Sequence, residues 1–229
     1  MPLPEPSATN APPPVALMVL AGGRGSRLGG ASKPAVTVAG RTLLSRVLDA
    51  RVLARHVVVV GPASARLAAG ADADKLLWAL EDPPFGGPVA GIAAGLAMLE
   101  SHAEANTTAW VLLLACDLPW AADAASLLVA AASAPDLPGT VDGVHLVDGA
   151  GRAQWLAGVY RQTALRAAVQ RIGTEARGAS VRSLLGDLAL RGIRDETGAG
   201  SDVDTWQDVA RSTALVNTAF INQVRSHTE

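Results

Sequence analysis

The chain has 229 residues, of which 49% are hydrophobic and 17% are charged, and its formal net charge is −2. This length can bury a substantial core as one large or two small domains. The slight negative charge gives no reason to expect a nucleic-acid partner, because nucleic-acid-binding proteins carry clustered positive charge. The single cysteine, Cys116, excludes an internal disulfide and is typical of a reducing cytoplasm.

The chain begins with a proline-rich segment, residues 1–14, which offers little that could pack and is predicted to be a disordered tail. The apolar run that follows, 15–21, is too short for a membrane span, which takes about 20 apolar residues. No basic segment precedes it, as a secretory signal would require. We expect a cytoplasmic protein without membrane contact, with one domain over 15–212 and a C-terminal helix or tail over 213–229.

Strands and helices alternate through the first half of the chain. Short apolar runs that end in glycine or acidic residues predict buried strands; they are VALMVLAGG, HVVVVG, KLLWALED and WVLLLACD. Helices are predicted over 42–54, 62–70, 87–103 and 121–134. In the first of these, Thr42 is the expected N-cap, and the expected apolar face comprises Leu43, Leu44, Val47, Leu48 and Val52. The alternation predicts an α/β fold with a mostly parallel sheet covered on both faces.

The pattern changes near residue 138. VDGVHLVD and AQWLAGVYR alternate in polarity around the turn sequence DGAG, which predicts a small antiparallel hairpin that forms one wall of a pocket. Helices are predicted over 163–173 and 179–188, and a strand over 189–196. A last helix is expected to begin near TWQDVA, where Thr205 and Asp208 resemble a capping box.

The first predicted strand runs directly into the loop LAGGRGSRLGGASKP. Glycines let backbone N–H groups surround an oxyanion, and Arg24, Arg27 and Lys33 add cationic donors for phosphates. The alternative is a tight turn without a ligand. The loop is not a Walker motif, because Pro34 follows the lysine where that motif has Ser or Thr. Its glycines also lack the spacing of a dinucleotide fingerprint, and Pro34 delays the next helix.

Carboxylates follow two further predicted strands, at Glu81 and Asp82 and at Asp117. Ligands of open parallel sheets bind beyond the carboxyl ends of the strands. Asp117 is interpreted as a Mg²⁺ ligand, because this ion takes one or two carboxylates together with substrate phosphates; a turn or cap role is the alternative. Asp202 or Asp204 could supply a second carboxylate, with helix capping as the rival role of Asp204.

Two further features have a less specific interpretation. GGPVAG, 86–91, could bring a helix N-terminus against a base or ribose, or it could pack a helix onto the sheet through small residues. Cys116 has no CxxC partner and is interpreted as buried and structural.

These motifs together resemble a known family. LAGGRGSRLGG followed by Lys33 is similar to the L-A-G-G-x-x-x-R-[ML]-G-x-x-K signature of nucleotidyltransferases. GGPVAGI, LLLACDLP and DVDTWQDV are similar to the later blocks of that family, in matching order over residues 15–212. Within the family, the chain most resembles the molybdenum cofactor guanylyltransferases. Gly22, Gly23 and GPVAG favour the guanylyl over the cytidylyl branch.

The resemblance implies a Rossmann-like three-layer domain that transfers GMP from GTP to the terminal phosphate of molybdopterin and releases pyrophosphate. Mg²⁺ is the implied cofactor. The partners expected are GTP, molybdopterin or its molybdenum form, and proteins that deliver it, and the chain is expected to be a monomer. One alternative is a different nucleotidyltransferase, either one that acts on a sugar phosphate or a molybdopterin cytidylyltransferase. The other alternative is a non-catalytic GTP-binding regulator.

The resemblance also implies roles for individual residues. Those expected to bind the nucleotide are Leu20, Ala21, Gly22, Gly23, Gly25, Lys33, Asp82, Gly87, Gly91 and Asp117. Lys33, Arg24 and Arg27 are expected to neutralise the departing pyrophosphate and to form the catalytic set with Asp117. The metal is expected on Asp117, with Asp204 as a weaker second ligand. The pterin is expected near the hairpin, 141–161, and near 177–182.

The sequence departs from the family pattern at three places. Ser32 precedes the lysine where Asp is common, and Val60 stands where an Asn contacts the nucleotide. The closing block reads D-V-D-T-W, residues 202–206, where the family has N-x-N-T-P. The family roles of the closing block and of the Asn position are therefore not carried over to these residues.

Overall fold

The computed structural model describes residues 14–22, 28–102 and 107–226, with side chains described up to residue 219. The strands of the main sheet are β1 (Val15–Leu20), β4 (His56–Val60), β5 (Leu77–Ala79), β6 (Trp110–Ala115), β7 (Gly143–Val147), β8 (Ala153–Arg161) and β9 (Leu190–Arg194). Two short strands, β2 (Thr37–Val38) and β3 (Arg41–Thr42), form a separate antiparallel pair.

The main sheet has the order β5-β4-β1-β6-β8-β7-β9. All pairs are parallel except those made by β8, which runs antiparallel to β6 and β7. The predicted α/β fold with a mostly parallel sheet and an antiparallel hairpin is therefore confirmed. The hairpin is part of the main sheet, because β8 pairs with the central strand β6.

Helices cover both faces of this sheet. They are α1 (Leu43–Val47), α2 (Ala65–Ala69), α3 (Pro88–Ser101), α4 (Ala121–Ala132), α5 (Gln162–Ile172), α6 (Val181–Leu185) and α7 (Trp206–Ser226). Alternate residues of β1 enter opposite cores: Leu17 packs with α1 and α4, and Met18 packs with α3 and α5. The three-layer arrangement follows from this period of two, since side chains of a strand point to alternate faces.

Two elements differ from the sequence prediction. The predicted helix over 42–54 is α-helical only to Val47 and continues as a 3-10 helix, Leu48–Leu53. Val52 was expected on its apolar face but is 83% exposed, because the tighter 3-10 turn rotates it away from the core. The third strand ends at Ala79, so Glu81 and Asp82 lie in the following loop.

Predictions were also made for the two ends of the chain. Helix α7 runs without interruption through residue 212, at which the sequence prediction divides the domain from a helix or tail. The predicted disordered tail lies almost entirely outside the described residues.

The connectivity places a crevice at the carboxyl end of the central strands. The chain leaves β1 for β4 and β5 on one side and returns to β6 on the other side. The order therefore reverses between β1 and β6, and at such a point the loops after the two strands separate and leave room for a ligand. Lys33 belongs to the loop after β1 and Asp117 to the loop after β6.

Candidate active site

Lys33 lies at the start of a single 3-10 turn, Lys33–Ala35, in which Pro34 is buried. The next α-helix begins only at Leu43, as the position of the proline predicts. A small apolar cluster fixes this loop; its members are Leu28, Val36, Val38, Leu43 and Val203. The cluster joins the loop after β1 to the segment that precedes α7, so residues far apart in the sequence meet at Lys33.

The ammonium group of Lys33 lies between two carboxylates. Its Nζ atom is 2.6 Å from Oδ2 of Asp117 and 2.5 Å from Oδ1 of Asp204. The side chains of Lys33 and Asp117 are only 14% and 16% exposed. Burial alone would lower the pKa of Lys33, but Asp117 and then Asp204 outweigh it and raise that pKa above its ordinary value. Lys33 therefore stays protonated throughout the neutral range.

Asp202 adds a third carboxylate to this group. One oxygen atom from each of Asp117, Asp202 and Asp204 lies within 4.8 Å of the other two. Desolvation and the charges of Asp117 and Asp204 raise the pKa of Asp202. Carboxylate oxygens are the ligands that Mg²⁺ prefers, and three of them converge here, so the residues fit that ion.

Helix capping does not explain Asp204. The N-terminus of α7 is closed by the predicted capping box: Thr205 N–H donates to Oδ2 of Asp208 at 2.9 Å, and Asp208 N–H donates to Oγ1 of Thr205 at 3.2 Å. The capping box is thus confirmed, and the side chain of Asp204 turns to Lys33 instead. The structure places the Asp204 carboxylate against Lys33, and its role as a metal ligand stays a prediction.

Val203 holds this segment beside β6. Its N–H donates to the carbonyl oxygen of Asp117 at 2.9 Å, and its side chain is fully buried. A buried residue flanked by two aspartates directs both carboxylates to the outside, toward the crevice. The D-V-D spacing thereby explains why Asp202 and Asp204 reach the same place.

Asp195, which follows β9 directly, was not predicted as part of the site. The residue is 9% exposed, and its carboxylate accepts hydrogen bonds from the turn over 197–200. The run D-E-T-G-A-G carries the signal, because an aspartate followed by Thr and Gly is typical of a side chain that bonds its own turn.

The end of β1 contributes backbone to the crevice. The carbonyl oxygen of Leu20 accepts the N–H of Cys116 at 3.0 Å, and the N–H of Ala21 donates to Val60 at 2.7 Å. Leu20 and Ala21 are buried, whereas Gly22 is exposed. The predicted contacts of Gly23, Arg24, Gly25 and Arg27 lie outside the described residues.

The other predicted nucleotide residues lie in and after the loop between β5 and α3. Asp82 is exposed in this loop, and Gly87 has a φ of +91° at the start of α3. Gly91 faces the sheet, where a Cβ atom would lie 3.4 Å from Cδ2 of Leu20. Gly91 thus packs a helix on the sheet, which was one of its two interpretations. The structure does not bring Asp82 or Gly87 into the cluster around Lys33.

Two segments were predicted to lie near the pterin. Strand β8 pairs with β6 up to Ala157 opposite Leu114, so residues 153–156 continue past the end of β6 and border the crevice. Arg177 donates to the carbonyl oxygen of Pro83 at 3.0 Å. The segment over 177–182 therefore lies against the loop after β5.

Cys116 is buried, as predicted, and burial raises its pKa.

Comparison with known proteins identifies the domain. The MobA-like NTP transferase domain matches residues 17–192, which span most of the chain and include Lys33 and Asp117. The chain belongs to this family. Its curated relatives include a Pseudomonas putida protein named molybdenum cofactor guanylyltransferase, which is 37% identical over 107 residues, covering 47% of this chain and 52% of the relative. The chain thus spans about half the length of the curated relatives it matches.

Solved structures of the MobA-like family and related transferases share the fold. Molybdopterin-guanine dinucleotide biosynthesis protein A from Archaeoglobus fulgidus is 18% identical, with a TM-score of 0.64 over 89% of this chain and 99% of that one. A nucleotidyl transferase from Methanothermobacter is 15% identical, with a TM-score of 0.68 over 90% and 98%. Within the described part of this MobA-like chain, no helix combines the length and apolar character of a membrane span.

Proposed function

We propose that this MobA-like domain transfers GMP from GTP to the terminal phosphate of molybdopterin and releases pyrophosphate. The observation that carries the proposal is the Lys33 ammonium, which is bound by Asp117 and Asp204 at the point where the strand order reverses. Phosphoryl transfer needs fixed positive charge and metal-binding carboxylates at one place. The names of the relatives, which this chain matches over about half of their length, supply the choice of GTP and molybdopterin.

In the proposed reaction, an oxygen of the acceptor phosphate attacks the α-phosphorus of GTP. A P–O bond forms there, and the bond to the bridging α–β oxygen breaks, so pyrophosphate leaves with the electron pair. The nucleophile is already an anionic oxygen, and the protein need not remove a proton from it. Catalysis then rests on positioning and on stabilisation of charge.

Lys33 has the geometry for the phosphate role. An ammonium group has three N–H donors, and two of those of Lys33 go to Asp117 and Asp204. The third can reach a phosphate oxygen while both carboxylates keep the side chain in place. Because its pKa is raised, Lys33 remains a cation when pyrophosphate departs.

Asp117, with Asp202 and Asp204, would hold Mg²⁺. The bound ion would neutralise negative charge on the phosphate oxygens. Arg24 and Arg27, from the glycine loop, are proposed as further cations for the pyrophosphate.

The test is pyrophosphate release with GTP or CTP, in Mg²⁺, with and without molybdopterin. We expect release with GTP only when the pterin is present. Release with CTP would instead assign the cytidylyl reaction, and release with a sugar phosphate in place of the pterin would assign another acceptor. GTP binding without release under any of these conditions would contradict the proposal and favour a nucleotide-binding regulator.

Gly22 offers a way to separate nucleotide binding from folding. A Gly22→Ala variant is expected to keep its melting temperature, because no atom of the residues that the structure describes lies within 4 Å of the position of the new Cβ. It is expected to bind GTP more weakly, since a methyl group keeps the backbone N–H away from an oxyanion. Melting curves and GTP titration measure the two effects. Gly139 is equally open and is the matched control; equal GTP affinity in both variants would remove Gly22 from the site.

A further inference from the structure

The chain must cross several strands to bring Asp202 and Asp204 to Lys33. It leaves the sheet at the end of β9, which lies three positions from β6. At about 4.8 Å between neighbouring strands this is about 14 Å. Residues 195–204 make the crossing without a helix or strand. The position of the two carboxylates therefore depends on what fixes this loop.

Asp195 fixes the first half of the crossing. Its Oδ1 accepts from the N–H groups of Thr197, Gly198 and Ala199 at 3.1, 2.8 and 3.0 Å and from the Thr197 hydroxyl at 3.1 Å. Its Oδ2 accepts from Gly200 N–H at 2.7 Å. Four successive peptide groups after Glu196 thus converge on one carboxylate.

The turn is also held against the sheet by a backbone hydrogen bond and by side-chain packing. Asp195 N–H donates to the carbonyl oxygen of Val147 at 2.8 Å, which continues the β7–β9 pairing. Ala199 is 2% exposed and belongs to the core under β6. At Gly200 an added Cβ would lie 3.1 Å from Cδ1 of Leu146 and 3.3 Å from Oδ2 of Asp195. The turn therefore has little freedom to shift.

The second half of the crossing follows from this turn. Only Ser201 and Asp202 separate it from Val203, which is fully buried and donates to the backbone of Asp117. A loop anchored at Ala199 and at Val203 has a fixed length of chain between its anchors. That length sets where Asp202 lies, and the position of Val203 in turn sets where the next residue, Asp204, lies.

We propose that Asp195 is a positioning residue of the site: its carboxylate organises the turn over 197–200 and so places Asp204 against Lys33 and beside Asp117. Its side-chain hydrogen bonds go to residues 197–200, and none among the described residues goes to Lys33 or Asp117. Its effect on GMP transfer rests on the proposed function, whereas its effect on the Lys33–Asp204 contact does not.

The two lysines of the chain, Lys33 and Lys75, make this contact measurable. The test follows acylation of both by an amine-reactive reagent, with the modified peptides quantified by mass spectrometry. Lys75 is 78% exposed and serves as the internal reference, whereas Lys33 is held by two carboxylates. In the wild-type protein we expect Lys33 to react much more slowly than Lys75.

An Asp195→Asn variant is expected to raise the Lys33 rate several-fold relative to Lys75, because the amide NH2 replaces Oδ2, opposes the Gly200 N–H and releases that end of the turn. Asp204→Asn removes the Lys33–Asp204 ion pair directly and gives the Lys33 acylation rate expected when that contact is lost. Asp148→Asn is the matched control, since Asp148 also organises a turn, accepting Ala150 N–H and Arg152 N–H at 2.9 and 2.8 Å. It is expected to leave the Lys33 rate unchanged.

A folded Asp195→Asn protein with wild-type protection of Lys33 would overturn the proposal, as would an equal effect of Asp148→Asn. If Asp195→Asn does not fold, Gly200→Ala displaces the same turn and is expected to raise the Lys33 rate; wild-type protection there would also overturn the proposal. GMP-transfer kinetics form a separate arm. A wild-type protein that transfers no GMP, together with faster Lys33 labelling in Asp195→Asn, contradicts the proposed function and supports the positioning role.

Discussion

An Asp117→Asn variant is expected to lose about 10²–10³-fold in kcat/KM for pyrophosphate release, the scale of removing one preorganised electrostatic group from a transition state. Asparagine keeps the shape of the side chain but loses the charge that pairs with Lys33 and that would hold Mg²⁺. The side chain lies at the mouth of the crevice, so the fold should survive. Steady-state kinetics measure the loss of activity, and a melting curve shows whether the variant is still folded.

Asp123 provides the control for that experiment. It lies in the first turn of α4, exposed and outside the cluster around Lys33. Asp123→Asn changes the net charge by the same amount and is expected to leave kcat/KM unchanged. Near-normal turnover of Asp117→Asn, or an equal loss in both variants, would show that Asp117 has no special part in the reaction.

Removal of the Lys33 ammonium is expected to have the second large effect. In a Lys33→Met variant we expect a loss of about 10²-fold or more in kcat/KM, because the fixed cation beside the leaving pyrophosphate is gone. Lys75→Met is the matched control, since Lys75 is exposed and pairs only with Asp72 among the described residues. Full activity of Lys33→Met would exclude the proposed phosphate role.

The same variant has a stability phenotype with a defined pH dependence. Lys33→Met leaves Asp117, Asp202 and Asp204 close together without their counter-charge, and it should cost roughly 1–3 kcal/mol of the free energy of unfolding at neutral pH. Desolvation and the charges of Asp117 and Asp204 raise the pKa of Asp202. Proton binding by Asp202 relieves the repulsion that the variant leaves unbalanced, so this loss diminishes as the pH falls. Denaturant titrations at neutral and acidic pH measure it; a pH-independent loss would contradict the ion-pair explanation.

The sequence was most informative where one residue type has few structural uses. Buried apolar runs such as VALMVL can form little other than central strands of an α/β sheet, and the position of Pro34 excluded a helix directly after the glycine loop. From the rule that ligands bind at the carboxyl ends of strands, Lys33 and Asp117 could be predicted to lie at one site. Their contact at 2.6 Å is a consequence of topology that the pattern already contained.

The sequence was least informative where long-range packing decides. Asp204 could cap α7 or serve the site, and the choice depends on Thr205 and Asp208 closing the helix without it. Gly91 could face a ligand or the sheet, and only the seating of α3 on β1 shows that it faces Leu20. Asp195 acts through hydrogen bonds to its own turn, and its importance depends on where the next ten residues lead.

The aspartates of the closing block have an electrostatic consequence for ligand entry. Among the described residues, Asp117, Asp202 and Asp204 face one ammonium, that of Lys33, so these four groups together are negatively charged at neutral pH. The three carboxylates repel a bare triphosphate, whereas they attract the divalent counter-ion of a triphosphate that carries one. We therefore expect the nucleotide to bind more tightly together with a divalent ion than without it.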